Sequence, residues 1–563
     1  MKRKSFVFTS LFIGLLGIIC IASIPYHVGI GIFDASHYVK CAVTLTSGCW
    51  PEKENLATHR PLSYLPYAAG IEMFGYGKWL TWITFMEFLV LLTLIYTCLK
   101  NRNRVVALLI VASLGLSRLM LQNSTMITSD ILETLLVNYS VLVYLFYASL
   151  KDPSRAVSRI SGVLVGLLWI AAFLVKESAV FYLPLLAYFA WQDRISRNSR
   201  LFWGHVIVTG VVAMLAMLVV YDIVTGTPWY RFRAIISGPL QDETFVQLHN
   251  TSFISDVINP FPFLVSDPTF FVLFLLSLVH FVQPSKNTND QRVKQYLLLT
   301  LAVWWIGSIH VQGKSLLTLT YRYWIPLVVP LAMNAGYALN NLLIIQRENQ
   351  TKRDKTIGTV LVTFLLLSGV SMLWVFQEYQ SVGLIESSWM LPYYAWYVVI
   401  VISLLSACYI LKTARQKVLI LTIALVLPLV GNRSVIAYDW FFNRSSDAYD
   451  DEQEIIFSAK KDSCAPMVLC ERALAQNYGV YDGFKGTSSA PFVGYSDANS
   501  DSLEKGTLLI FNGPRMYYNK NNISEVGIYA NIKNQIPDFV LCPEQHGFRL
   551  VKENKTCQLF RLD

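Results

Sequence analysis

Apolar runs of about twenty residues, the length that crosses a bilayer as a helix, recur along most of this chain with little soluble sequence between them. They lie near residues 5–25, 79–99, 105–121, 131–150, 160–175, 178–191, 201–223, 267–283, 295–311, 323–345, 356–376, 392–411 and 417–432. That is about thirteen spans, so the two ends of the chain are expected on opposite sides. Every second gap carries a basic cluster: Lys2, Arg3 and Lys4; Arg102 and Arg104; Lys151, Arg155 and Arg159; Arg194, Arg197 and Arg200; Lys286, Arg292 and Lys294; Arg347, Lys352, Arg353 and Lys355; Lys412, Arg415 and Lys417. The bias of Lys and Arg toward the inner side makes these loops cytoplasmic, together with the N-terminus.

Composition agrees. With 54% hydrophobic and 15% charged residues over 563 positions, the chain is too apolar for a soluble enzyme of that length. The net charge of +9 is scattered in short clusters between spans, a pattern of membrane topology and not of a nucleic-acid-binding face. The first run, preceded by MKRK, also reads as a secretory signal, but its length and the lack of a small-x-small cleavage site favour a retained span. The region 160–191 is expected to be two short spans turning at Lys176 and Glu177, since one long helix would invert every later loop.

Beyond about residue 433 the sequence becomes ordinary globular protein. Short β-rich runs (APMVLC, TLLIFNG, EVGIYANI, DFVLC, TCQLFRL) alternate with turn residues, and a helix over 449–460 precedes them. The fold class is therefore a polytopic α-helical membrane protein, residues 1–432, followed by a small α/β extracytoplasmic domain with a mixed sheet, residues 433–563. Three close cysteine pairs, Cys41 with Cys49, Cys464 with Cys470 and Cys542 with Cys557, fall on the oxidising side and are expected as disulfides, the last clasping a hairpin. The chain has no P-loop, GxGxxG or HExxH, so neither a nucleotide cofactor nor zinc-peptidase chemistry is expected.

The polar residues at the outer ends of the spans carry the chemistry. GIFDASHYVKC, from Gly31 to Cys41, opens the first outer loop, 26–78, and holds Asp34, His37 and Tyr38. Further along this loop His59 and Arg60 precede Pro61, a residue suited to the first turn of a helix lying on the outer surface. A helix N-terminus beside an arginine is a phosphate site. Asp130 stands at the mouth of the fourth span, where with Glu133 it also reads as a capping box. Lys176 and Glu177 occupy the next outer turn, otherwise an interfacial ion pair or snorkelling side chains. Arg322 opens the tenth span on the outer side, against the inside bias, which points to a bound anion. Arg231 and Arg233 in the loop 224–266 either cover a ligand or are simply solvated. Tyr38 reads first as interfacial packing, and His37 as an interfacial polar residue or an orienting neighbour of Asp34.

Taken in order, the early Asp34, HRPLSYLPYAAGIEMFG, Ser129-Asp130, FLVKESAVFYLPLLAYF, TGTPWYRF and YRYWIPLVVPLAM resemble the GT-C lipid-phosphate-dependent glycosyltransferases. The likeness is to the bacterial branch with protein O-mannosyltransferase-like enzymes and aminoarabinose transferases of lipid A. It covers about the first 345 residues, in order, and the layout of spans followed by an outer domain.

The resemblance implies a cytoplasmic-membrane enzyme that moves a sugar from a polyprenyl phosphate, undecaprenyl or dolichyl, to an acceptor on the outer face, the periplasmic side in a bacterium. The acceptor class is open among lipopolysaccharide, other envelope glycans, glycolipids and protein. Asp34 matches the family's first-loop acid and is the expected base; Arg60 matches its phosphate-binding cation, with Lys176 and Arg322 as further contacts. Asp130 matches a second acid that in relatives positions the acceptor or helps to bind a divalent metal (Mg, Mn or Zn). A metal would sit between Asp34 and Asp130 with His37 or His59, but His59 stands where relatives carry an acid, which weighs against metal dependence. One direct displacement predicts inversion at the anomeric carbon. A lipid-linked oligosaccharide ligase or polymerase would instead show one dominant Arg- and His-rich outer loop, and a transporter or flippase ionisable groups at mid-bilayer.

Overall fold

The computed structural model describes residues 2–237, 260–344 and 446–563, apart from short stretches within those ranges. Helices occupy every expected span up to residue 345; the expected spans 356–376, 392–411 and 417–432 lie outside the described residues. In chain order the helices are α1 (Lys2–Ser23), α2 (Asp34–Thr46), α3 (Pro61–Phe74), α4 (Thr81–Leu99), α5 (Arg104–Gly115), α6 (Arg118–Ser124), α7 (Asp130–Tyr147), α8 (Arg155–Val175), α9 (Leu183–Gln192), α10 (Arg197–Thr225) and α11 (Tyr230–Ser237). After these come α12 (Pro268–Val282), α13 (Thr288–Gly307) and α14 (Tyr321–Ile344). Among the described residues, five stretches are long and apolar enough to cross a membrane singly: Phe6–Ser23, Lys78–Leu99, Asp130–Tyr147, Arg155–Val175 and Arg197–Thr225.

Local chemistry explains the breaks between helices. The expected span 105–121 divides into α5 and α6, because the Ser117 hydroxyl accepts from the Met120 N–H and starts a new helix. Between α8 and α9 the chain is extended at Lys176 (φ −155°, ψ 140°), and residues Glu177–Tyr182 form a 3₁₀ segment, so 160–191 is two helices, as expected. Helices α8 and α10 pack closely through Gly162 and Gly166: a Cβ on Gly162 would lie 2.4 Å from the Phe202 carbonyl oxygen.

The polar loops sort to two ends of the bundle. At the far ends of α7 and α9, Arg292 Nη2 donates to Asp193 at 2.6 Å and Nη1 to the Ala148 carbonyl at 3.0 Å, while Tyr144 donates to Asp193 at 2.9 Å. Asn103, which caps α5, reaches Asn340 near the end of α14 at 3.1 Å. Basic loops therefore gather at one end, whereas Asp130, at the start of α7, and Lys176, just past the end of α8, lie at the other.

Residues 446–563 form an α/β unit. Helix α15 (Ser446–Lys461) precedes a five-stranded mixed sheet of β1 (Val468–Cys470), β2 (Phe492–Gly494), β3 (Leu508–Asn512), β6 (Phe548–Glu553) and β7 (Cys557–Leu562) in the order β2-β1-β3-β7-β6. Strand β1 runs parallel to β2 and β3, and the β3-β7-β6 side is antiparallel, with Leu509 opposite Phe560. A separate antiparallel pair joins β4 (Met516–Asn519) and β5 (Asn522–Glu525). The expected strand DFVLC is instead a short helix (Asp538–Leu541) with Pro537 at its N-cap, where fixed φ and the Asp538 carboxylate favour a helical turn. Most of the expected strand EVGIYANI lies outside the described residues.

This unit shares a hydrophobic core with the first loop. Tyr38, Val39, Ala42, Tyr64 and Tyr67 of α2 and α3 are buried with Tyr449, Ile455, Val480 and Leu508 in one cluster. Ser36 donates to Asn477 at 2.8 Å, and Lys78 pairs with Asp450 at 3.0 Å. Burial of this shared apolar surface fixes α2, the helix that begins with Asp34, against the α/β unit.

The expected disulfides do not form. Each close pair couples a buried residue with an exposed one: Cys41 with Cys49, Cys470 with Cys464, and Cys557 with Cys542. Cys41 packs its Sγ 3.7 Å from the Thr58 hydroxyl, and Cys470 and Cys557 lie on strands of the sheet. Nearness in sequence does not bring two such sulfurs to bonding geometry.

Candidate active site

Two ion-pair clusters, one buried and one partly exposed, adjoin one another at the end of the bundle opposite the basic loops. In the first, Lys176 forms an ion pair with Asp130, and Thr128 donates its hydroxyl to the same carboxylate. Asp130, Glu133 and Lys176 are all at most 1% exposed. Glu133 lies one turn along α7, its Oε2 4.0 Å from Lys176 Nζ, and accepts from the Ser178 hydroxyl at 2.6 Å. The Lys176 ammonium also sits 3.9 Å from the centre of the Tyr323 ring, beside Arg322 in sequence. One lysine thus faces two carboxylates and an aromatic ring, an arrangement that keeps its charge inside a low-dielectric site.

The capping-box reading of Asp130 is corrected by this geometry. Ser129 is the N-cap residue of α7 and makes no side-chain capping bond. The Asp130 carboxylate is turned to Lys176 instead, because a buried ammonium needs a counter-charge.

In the second cluster Arg60 holds Glu177 with two nitrogens: Nε donates to Oε2 at 3.0 Å, and Nη2 pairs with Oε1. Its third nitrogen, Nη1, donates to the Tyr38 hydroxyl at 3.0 Å, and that hydroxyl shares a hydrogen bond with Ser129 at 2.9 Å. Tyr38 therefore links α2 and Arg60 to the residue preceding Asp130, more than packing alone. Arg231 is fully buried, with Nη1 and Nη2 donating to the carbonyls of His59 and Phe173, and its Nη2 lies 4.0 Å from Glu177. The His59 carbonyl accepts from Tyr221 as well, at 2.8 Å. Lys176 and Glu177, adjacent in sequence, take different partners, so the interfacial-pair reading does not describe them.

Electrostatics follow from this packing. Burial, together with the nearby Arg60, pulls the His59 imidazole from 6.5 down to about 3, so it is neutral near pH 7 despite lying 3.9 Å from Glu177. Burial would raise the Glu177 carboxyl, but Arg60 outweighs it and holds the group well below the usual carboxylate range. Burial depresses Arg231, and burial would do the same to Arg60, but Glu177 holds Arg60 above its ordinary value.

Other candidates are placed by the backbone. Asp34 is the first residue of α2, one turn before Tyr38, with His37 between them on the same helix; Arg322 lies in the first turn of α14, next to Tyr323. Helix α3 begins at Pro61 with Arg60 at its N-cap, as expected, although Tyr64 and Tyr67 are buried and the helix does not merely rest on a surface. Arg233 is exposed two residues beyond Arg231. The ammonium of Lys176 and the Thr128 hydroxyl engage the Asp130 carboxylate, and His59 lies 3.9 Å from Glu177; the side chain of Asp34, the other expected metal ligand, lies outside the described residues. Among the described residues no three His, Cys, Asp or Glu side chains gather in a metal-binding group. Sequence reasoning did not assign Glu133 and Ser178 to the site; the spacing of Asp130 and Glu133, one turn apart opposite a lysine-bearing break, was the available signal.

No protein-family profile matches the sequence, and no curated protein sequence does. Among solved structures the chain matches ArnT from Cupriavidus metallidurans bound to undecaprenyl phosphate, with a TM-score of 0.54, 13% identity and coverage of 98% of each chain. It also matches ArnT from the same organism in the apo state, with a TM-score of 0.54, 14% identity, and coverage of 100% of this chain and 98% of that one. The chain therefore has, over nearly its whole length, the fold of ArnT, a GT-C aminoarabinose transferase.

Proposed function

We propose that this protein is an integral-membrane glycosyltransferase that moves a sugar from a polyprenyl phosphate to an acceptor at the end of the bundle opposite the basic loops. The observation that carries the reading is the concentration of cations at that end, buried Lys176 and Arg231 beside partly buried Arg60, within a fold shared with an ArnT bound to undecaprenyl phosphate. With the basic loops cytoplasmic, the site and the α/β unit face the outside of the cytoplasmic membrane. The acceptor is an envelope glycan, a glycolipid or a protein.

The chemistry needs a base and an anion site. Asp34, at the start of α2, takes the proton from the acceptor nucleophile; the nucleophile attacks C1 of the sugar while the C1–oxygen bond to phosphate breaks. The electron pair leaves with the lipid phosphate, whose growing charge Arg60, Lys176 and Arg322 stabilise. Asp130 and Glu133 hold Lys176 in place beside that charge. A single displacement inverts the anomeric centre.

Asp34→Asn tests the assignment in purified, folded protein. Transfer should be lost while undecaprenyl phosphate still binds, and undiminished turnover would sink the role of Asp34 as base. Mass spectrometry of envelope glycans and glycolipids from a deletion strain, searched for one missing sugar, identifies donor and acceptor.

A further inference from the structure

Two guanidinium groups and an imidazole converge on one carboxylate. Arg60 contacts both oxygens of Glu177, while Arg231 Nη2 and His59 Nε2 lie 4.0 Å and 3.9 Å from Oε2. Both arginines are charged, so one carboxylate leaves the group with an excess of positive charge. Arg231 adds to that excess: it is 0% exposed, its Nη atoms go to neutral backbone carbonyls, and its Nε has no hydrogen-bond partner. A wholly buried guanidinium with an unused donor fits an anion larger and more charged than a carboxylate.

Glu177 differs from the groups around it. Its side chain is 30% exposed, against 0% for Arg231, and it follows the extended break at Lys176. The arginines are anchored, Arg60 at the start of α3 with a bond to Tyr38 and Arg231 on two carbonyls. A swing of Glu177 toward solvent costs little packing, while the cations stay where they are.

We infer that Arg60, Arg231 and His59 form a phosphate socket in which Glu177 is the resident counter-anion, displaced when lipid phosphate binds and returning to expel it. The inference rests on the lipid-phosphate reading above and adds Arg231 and Glu177 to it. A sugar-linked donor is a phosphodiester with one negative charge, and the leaving lipid phosphate is a monoester with up to two. The product is therefore held harder than the donor, and a competing carboxylate helps to release it.

The test is undecaprenyl phosphate binding to the full-length protein in lipid nanodiscs, with wild type, Glu177→Gln and Arg60→Ala compared. Glu177→Gln should bind about tenfold tighter and keep a first turnover while steady-state turnover slows. Unchanged or weaker binding by Glu177→Gln, with Arg60→Ala clearly weaker, overturns the competition and leaves the phosphate site standing. If Arg60→Ala binds as well as wild type, the phosphate reading itself fails. Should Glu177→Gln not fold, Glu177→Asp keeps the charge on a shorter arm and should bind between wild type and the tenfold limit; equal or weaker binding there overturns the inference.

Discussion

Lys176 and Asp130, 46 residues apart in sequence, meet in an ion pair that is almost wholly removed from solvent. The lysine ends α8 and the aspartate begins α7, so their pairing ties the ends of two membrane helices together at the candidate site. The low dielectric that strengthens the pair also makes either charge costly alone.

Lys176→Ala should destabilise the protein by about 3–5 kcal/mol, because Asp130 is left buried and unmatched with Glu133 close by. Adding Asp130→Asn should restore most of that loss without restoring transfer. Unfolding midpoints in detergent, measured beside turnover, check both halves. A double variant no more stable than Lys176→Ala would show that unmatched charge is not the cause.

Acid should weaken the fold from about pH 6.5 downward. Burial holds His59 at about 3 and His27 at about 4, both below the ordinary 6.5, so the unfolded chain binds more protons than the folded one across that interval. Stability from these two groups is fully present above pH 6.5 and is lost as pH falls through the folded values. Glu177, also depressed, adds a loss below its ordinary 4.5. Thermal midpoints from pH 8 to pH 4 should fall in wild type and fall less steeply in His59→Gln; an unchanged slope in that variant would refute the burial of a neutral imidazole.

Intact mass should be the same with and without reductant for the six cysteines outside the spans, since none of the three close pairs is bonded. In the folded protein, maleimide should label the exposed Cys49, Cys464 and Cys542, with Cys41, Cys470 and Cys557 protected until denaturation. Protection of all six before reduction would restore the disulfide reading.

Much of this site was legible in the linear chain. Arg60 before Pro61, Lys176 and Glu177 at a turn between spans, and Asp130 at a span mouth all stand out because charge is rare in so apolar a sequence. Tyr38 was harder to read, since an aromatic at an interface is common; its bond to Arg60 depends on how α2 lies against the start of α3. DFVLC failed as a strand because only the run from Phe539 to Cys542 favours one, while Pro537 and the strand-disfavouring Asp538 start a helical turn.

The sequence by itself determined where helices run up to residue 345, where 160–191 breaks, and which loops are basic. Those properties come from hydrophobicity and charge summed over a local window, and they need no partner. Tertiary structure alone decided that Lys176 takes Asp130 while Glu177 takes Arg60, that Arg231 is buried beside them, and that the cysteines stay apart. Such choices depend on the rotation and close approach of helices far apart in the chain, where an ångström decides whether two charges or two sulfurs meet.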